Sequence, residues 1–499
     1  MNENYFELNT DGIKKKAVKA AGINFVTHFL NFIFHTASVI ILARLLTPTD
    51  FGLVAMVTAF SLLPMNFGWN GFPEYILQKQ SISNREINAI FWVQVYIASF
   101  LSLCFVLFGF YLIDFYAESA LSGIAAALAL TFILVPLSTT HRTLLRREMK
   151  FTSIAVGDLI ARILSIICAI AAAILGMAYW AIVIRQLVEP ILMMFIAWFL
   201  CPWRPGMPTN LSSALPGFKF AIKVYLNFTI DYLTKSIDKI FLGKFHGPDM
   251  LGNYDRAYHL SSMPGGQILI PLRNVALATL SRLRDDKVRF HLYYTKALSL
   301  VTLLGTIAAV VLMLTAQDLV PLLLGPEWNE TGLIVMAFSP GIAAMLIDGT
   351  IPWLHLSLGT PGRWVRWNIF ASIITIVSFI IVAPYGAVAM AAAFSSAKFL
   401  LVLPGLWYAG RPIEFRITAL LRSIWTYLTA GLSTSLIFLA LPLLCPSFGK
   451  IYAELSPLNR VIITVLTMPL LYITILVILQ RSFASIRELI GLVRMFLSR

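Results

Sequence analysis

Apolar stretches of about 20 residues follow one another along almost the whole chain, and that length constrains the fold more than any other feature. At 1.5 Å per residue, about 20 helical residues cross roughly 30 Å of hydrocarbon while every backbone hydrogen bond closes within the segment. Such runs fall near residues 20–43, 53–77, 87–113, 119–140, 152–175, 179–200, 220–243, 254–280, 292–315, 331–357, 365–383, 386–408, 418–441 and 459–479. They amount to about 14 spans. With 59% hydrophobic residues, 12% charged residues and a mean hydropathy of +0.81, the solvent of this chain is lipid. The expected class is an all-α polytopic membrane protein.

The runs are organised as a repeat. NFVTHFLNFIFHTASVIILARLLTPTDFGLVAM, from Asn24 to Met56, returns about 200 residues later as VYLNFTIDYLTKSIDKIFLGKFHGPDMLGNYDR, from Val224 to Arg256. Without a gap, Arg44 meets Lys244, Pro48 meets Pro248, Gly52 meets Gly252 and Pro64 meets Pro264. Asn24, His28, Asn31, His35 and Ser38 fall at steps of three and four, so they share one face of an otherwise apolar helix. Asp231, Lys235 and Asp238 answer Asn31, His35 and Ser38 in the second copy. Two polar stripes at membrane depth suit a shared cavity. The domain expectation is an N-terminal lobe over 1–200, a Pro-, Gly- and Ser-rich linker over 201–218, a C-terminal lobe over 219–410 and an appended pair of spans with a tail over 411–499.

Lys and Arg set the orientation. Placing both termini in the cytoplasm puts Lys14, Lys15, Lys16 and Lys19, the loops around Arg146 and Arg284, and Arg481, Arg487, Arg494 and Arg499 on one side. Arg44, Lys244, Lys450 and Arg460 then stand opposite. The first 19 residues hold no short apolar core of their own, so the first span is expected to be retained as a helix. The formal charge of +14 is read as this topological signal, with membrane lipids as partners and no nucleic acid. The four cysteines show no metal or disulfide spacing.

Pro64 and Pro73, with Gly68 and Gly71, match Pro264 and Pro271, with Gly265 and Gly266. Bends or breaks are expected at these matched places, as in transporters with discontinuous helices. Ionisable residues within spans are the second signal, because an unpaired charge at the bilayer centre costs about 3 kcal/mol or more. They are Glu74, Asp158, Arg162, Arg185, Glu189, Asp231, Lys235, Asp238, Lys239, Asp255, Arg256, Arg273, Asp348 and Lys398. Asp158 with Arg162, and Arg185 with Glu189, are four apart and suited to pairing along one helix. Lys235, Lys239, Arg273 and Lys398 are the cations with the least evident local neutralisation, and Arg162 and Arg185 join them as half-neutralised ones. Surplus positive charge in a cavity suits an anion such as a pyrophosphate.

No phosphate loop, His-Glu-x-x-His run or nucleophile elbow occurs, so no catalytic residue, cofactor or metal is expected. His28 and His35, with Asp231 and Asp238, are candidates for ion or proton coupling. No loop is long enough for an extramembrane catalytic domain, which disfavours a polymerase or acyltransferase. A small-molecule or multidrug antiporter stays open.

ILARLLTPTDFGLVAM, NFGWNGFPEYILQK, LLRREMKF, AYWAIVIRQ, DKIFLGKFHGPDMLGNYDRAYHLSSMP and LSRLRDD resemble the polysaccharide-unit exporters of the multidrug/oligosaccharidyl-lipid/polysaccharide superfamily, nearest the lipopolysaccharide and colanic acid exporter type. The resemblance implies two six-helix lobes in a V around a central cavity, plus two helices. It also implies a flippase that carries undecaprenyl-pyrophosphate-linked oligosaccharide outward by alternating access, with the lipid-linked oligosaccharide as substrate and polysaccharide polymerase or export machinery as partners. His28 and His35 stand on the face where the related lipid II flippases carry arginines, which argues against a peptidoglycan precursor.

The charge bias makes a direct prediction. Periplasmic reporters fused after Asp50, Asp114, Gln317 or Ser447 will be active, and those after Gln80, Arg147, Arg284 or Arg411 silent; the inverse pattern would refute the orientation.

Overall fold

The computed structural model describes residues 5–7, 13–208 and 211–482; within the helices, the side chains of His28, Asp231 and Lys235 lie outside the described residues. Two compact units divide the chain, Met1–Gly252 and Asn253–Arg499. The chain is helical nearly throughout. In the first unit, α1 (Ile13–Leu45), α2 (Pro48–Trp69), α3 (Phe72–Gln78), α4 (Asn84–Tyr116), α5 (Ala120–Arg147), α6 (Phe151–Ile174) and α7 (Trp180–Leu200) precede α8 (Leu215–Arg282), which crosses the division. The second unit continues with α9 (Lys287–Leu324), α10 (Asn329–Asp348), α11 (Ile351–Ser357), α12 (Pro361–Val382), α13 (Ala387–Gly410), α14 (Ile417–Leu444), α15 (Pro446–Glu454) and α16 (Pro457–Gln480). A small antiparallel pair, β1 (Tyr5–Glu7) with β2 (Ser81–Ser83), joins Phe6 to Ile82. The sequence reading did not anticipate it.

Eleven helical segments among the described residues are long and apolar enough to cross a membrane. The expected spans outside that set are the first, whose qualifying apolar part is the shorter Phe29–Leu45, and the seventh and eighth, both in α8. Parts of α1 and α8 lie outside the described residues, to which this count is confined.

α4 shows how the others choose a lipid face. Ala98, Ser102, Phe105, Gly109, Leu112 and Tyr116 recur every three or four residues and are buried, while Phe100, Leu103, Leu107 and Phe110 are exposed. Between helices in lipid, close packing and interhelical hydrogen bonds take over from the hydrophobic effect. Gly109 accordingly lies against Ala125, and the Ser102 hydroxyl donates to Ala129 O at 2.8 Å. The end of α5 is held differently. Arg147, 3% exposed, donates to Lys79 O at 2.7 Å and Gln80 O at 3.0 Å, supplying donors where α3 runs out. In the second unit Phe290, Tyr294, Leu298, Ile347, Trp353 and Leu406 form the buried core.

Both copies of the repeat turn at the same register. α2 begins at Pro48 with a capping box between Thr47 and Asp50. α8 leaves helical geometry at Gly247 (φ 79°), immediately before Pro248. Within the first unit the two turns meet main chain to main chain. A Cβ on Gly52 would stand 1.7 Å from Pro248 O, and one on Gly252 would stand 1.8 Å from Pro48 O. The Thr49 hydroxyl donates to Asp249 Oδ1 at 3.3 Å across the same approach. Further along, Tyr232 Oη donates to Thr58 O at 3.0 Å and Ala59 O at 2.9 Å, and Tyr225 Oη to Leu63 O at 3.1 Å. These hydroxyls tie the first part of α8 to the backbone of α2.

The matched breaks expected at the prolines occur in only one copy. α2 ends at Trp69, Gly71 takes φ 95°, and Pro73 sits in the first turn of α3. α8 stays helical through Pro264 and Pro271 to Arg282. A proline removes one backbone bond yet keeps a helical φ, whereas a left-handed glycine ends the helix. Gly265 and Gly266 remain at negative φ.

Gly52→Ala and Gly252→Ala should each cost about 3 kcal/mol or more, since the new methyl meets main chain that cannot turn aside. Gly266→Ala, with nothing within 4 Å of the added carbon, should leave the melting temperature of the detergent-solubilised protein unchanged. Equal melting of all three variants would refute the close approach.

Candidate functional site

The polar face of α1 is answered by charged residues on α5, α6 and α7. Near one end, Thr27 and Asn31 face Arg146, Ile154 and Asp158 around a cavity of about 340 Å³. Farther along α1, buried Ser38 accepts from Arg185 Nη1 of α7 at 3.4 Å. These residues meet because Thr27, Asn31 and Ser38 are spaced at helical steps, so a single stripe runs the length of the contact.

The ion pairs run between helices. Asp158 is held by Arg142, with Nη1 on Oδ1 and Nη2 on Oδ2 at 2.8 Å, a two-pronged contact from α5 to α6. Arg162 reaches Glu189 on α7, Nη2 to Oε1 at 3.2 Å and Nε to Oε1 at 3.3 Å. The expected Asp158 to Arg162 pair along α6 is thus replaced by two pairs that leave the helix, and Glu189 takes Arg162. A neighbouring helix offers a carboxylate in line with the guanidinium fork and frees both side chains from their own helix surface. All four groups are partly buried, between 18% and 30% exposed, where a missing partner is expensive.

The remaining candidates are distributed over both units. On the first part of α8, Asp238 is 3% exposed and accepts from the Lys239 backbone N–H at 2.8 Å, with Lys239 half-buried beside it. His35 is half-buried on α1, and the side chains of His28, Asp231 and Lys235 lie outside the described residues. In the second unit Lys398 Nζ pairs with Asp348 Oδ2 at 2.8 Å, bridging α13 to α10, and Arg273 is exposed. Lys398 was expected to lack an evident neutralising group. Its partner lies 50 residues away, beyond what spacing reveals. Outside the spans, Glu414 is held below the usual carboxylate range by its hydrogen bond to Lys287. That pair is exposed and ties the start of α9 to the turn after α13.

Sequence reasoning missed Arg142 and Arg146 as site residues. It read Arg142, Arg146, Arg147 and Lys150 as a loop whose charges report only orientation, but α5 continues through Arg147 and carries both side chains to the α6 interface. The available signal was their spacing of four, which places both on one helical face.

These features define a multi-spanning helical membrane protein with a charged interior. A family model described as "Polysaccharide biosynthesis protein" matches residues 41–332, more than half of the chain. The chain belongs to this family. It is 22% identical over 296 residues to the lipopolysaccharide biosynthesis protein WzxC of Escherichia coli (strain K12), covering 58% of this chain and 59% of that protein. It is 24% identical to the succinoglycan biosynthesis transport protein ExoT of Rhizobium meliloti (strain 1021), over 60% of this chain and 62% of that protein. The chain thus spans about three fifths of the length of these relatives. Its fold is that of the lipid II flippase MurJ in an inward closed conformation, with a TM-score of 0.70 at 15% identity, covering 93% of this chain and 99% of that one. An inward-facing multidrug resistance MATE family transporter of the MOP superfamily gives a TM-score of 0.59 at 13% identity, over 76% of this chain and 94% of that one.

Double-mutant cycles on thermal stability should give couplings of about 0.5–3 kcal/mol for Arg142 with Asp158 and for Arg162 with Glu189, and near zero for Asp158 with Arg162. A strong Asp158 to Arg162 coupling would reverse the pairing scheme.

Proposed function

We propose that this chain is a transporter, not an enzyme, that moves undecaprenyl-pyrophosphate-linked oligosaccharide from the cytoplasmic to the outer leaflet of a bacterial inner membrane by alternating access. The observation that carries the reading is a polar, arginine-bearing interior, built on α1, α5, α6 and α7, in a chain of the polysaccharide biosynthesis family. A diphosphate cannot cross hydrocarbon uncompensated, and guanidinium and ammonium groups in a partly dehydrated interior compensate it at an effective dielectric far below that of water. The polyprenyl tail needs no such path, because it stays in lipid. The names of WzxC and ExoT, in lipopolysaccharide biosynthesis and succinoglycan transport, support a glycan substrate. The reading includes cytoplasmic termini and a membrane partnership with the machinery that polymerises and exports the glycan.

In this reading Lys235, Lys239, Arg273, Lys398, Arg162 and Arg185 give the interior its positive potential, and His28, His35, Asp231 and Asp238 are the candidates for ion coupling. The ion pairs refine these roles. Arg162 and Lys398 reach a substrate only by leaving Glu189 and Asp348. Lys235 carries the sharpest test. Lys235→Ala should lower export of lipid-linked glycan about tenfold or more while the protein remains folded in the membrane, as loss of one charged contact predicts. A variant that also lacks Asp231 and Asp238 should stay impaired. Full export from the triple variant would make Lys235 a structural counter-ion and remove it from the substrate path.

A further inference from the structure

Arg142 presents both terminal nitrogens of its guanidinium to both oxygens of Asp158, the planar fork geometry that a phosphate group also accepts. Asp158 at the same time lines the 340 Å³ cavity together with Arg146, Asn31 and Thr27. That volume far exceeds the ~10–15 Å³ that a single water requires. Arg146 is exposed and makes no hydrogen bond or ion pair among the described residues. Asn31 carries a buried amide oxygen without a hydrogen-bond partner, a costly state in a folded protein. Its amide can be turned end for end, because oxygen and nitrogen are assigned from their surroundings.

We propose that Arg142, Arg146 and Asn31 form a binding subsite for a diphosphate group, and that Asp158 occupies the Arg142 fork until the diphosphate displaces it. The inference rests on the proposed transport of a lipid-linked diphosphate and names where that headgroup is first held. On the proposed orientation this end of α5 faces the cytoplasm, where the substrate is made. At rest the charges are balanced. Asp158 answers Arg142, and Glu74, which also acts electrostatically on Arg146, accepts from the Gly71 N–H at the start of α3. A carboxylate brings one negative charge to the fork, and a diphosphate brings at least two with more acceptor oxygens. Arg146 and Asn31 supply donors for the surplus. Displacement therefore exchanges one bidentate partner for another, and the guanidinium is never left bare. Without Asp158 the empty subsite would hold two arginines one turn apart on α5 with no carboxylate beside them. The resident carboxylate thus keeps the subsite folded between loads and sets a threshold that singly charged anions do not pass.

The test uses the full chain in phosphatidylcholine nanodiscs, with inorganic pyrophosphate as the probe and calorimetric titration as the readout. Asp158→Asn removes the competitor and should tighten pyrophosphate about tenfold, whereas Arg146→Gln should weaken it about tenfold or more and Arg146→Lys by less. Arg142→Gln combined with Asp158→Asn keeps the charge balanced and should also bind weakly, a control against misfolding of either single variant. Unchanged affinity in Arg146→Gln, or no gain in Asp158→Asn, overturns the proposal. Phosphatidylglycerol nanodiscs and added undecaprenyl diphosphate separate two sources of the phosphate. Displacement of pyrophosphate by the polyprenyl lipid supports the proposal, and displacement by phosphatidylglycerol alone overturns it in favour of a phospholipid site. Glycan flipping is measured in the same preparations. Flipping without pyrophosphate binding sinks the subsite and leaves the transport reading standing; absence of both sinks the two together.

Discussion

A charge inside a membrane protein must be answered by another charge or by a cavity, and this requirement organises the interior of the chain. Arg142 with Asp158, Arg162 with Glu189 and Lys398 with Asp348 each join two different helices. Where hydrocarbon surrounds the protein, apolar faces give little preference for one neighbour over another, because lipid tails are as apolar as leucine. Polar contacts then carry the specification. The pairs fix which helix lies beside which, while small residues such as Gly109 allow the approach. The same groups that hold the first unit together are those an anion would seek, so on the proposed transport reading stability and ligand recognition draw on one set of arginines.

The sequence is read most clearly where the physics is one-dimensional. Span lengths follow from backbone hydrogen bonding and bilayer thickness, so apolar runs such as 152–175 and 459–479 lie within a residue or two of α6 and α16. The register from Pro48 to Pro248 is a matter of counting, and both copies do turn there. The polar stripe of α1 was also visible, since Asn31 and Ser38 differ by two helical turns.

Spacing along one helix says nothing about how the next helix is rotated. Asp158 and Arg162 were neighbours on paper, and in the fold each turns to another helix. Arg142 and Arg146 looked like loop charges because the apolar run fades before them, but α5 outlasts its hydrocarbon stretch. The prolines misled for a related reason. Pro264 and Pro271 fit inside a continuous helix, and what ended α2 was the left-handed backbone at Gly71, which composition does not reveal.

The approach of Gly52 to Pro248 and of Gly252 to Pro48 is reciprocal, and at the glycines it is made against main chain. Side-chain contacts in two copies of a repeat can drift apart in sequence, since a larger residue on one side is accommodated by a smaller one opposite. At the glycines no side chain exists to trade. Each glycine answers a carbonyl whose position is fixed by a proline, so neither copy can compensate for a change in the other. The rest of the two copies is free to diverge, as Thr47 and Gly247 have done at equivalent places. These four positions bind the two turns to a common geometry, like the paired teeth of a clasp that works only while both sides keep the same pitch.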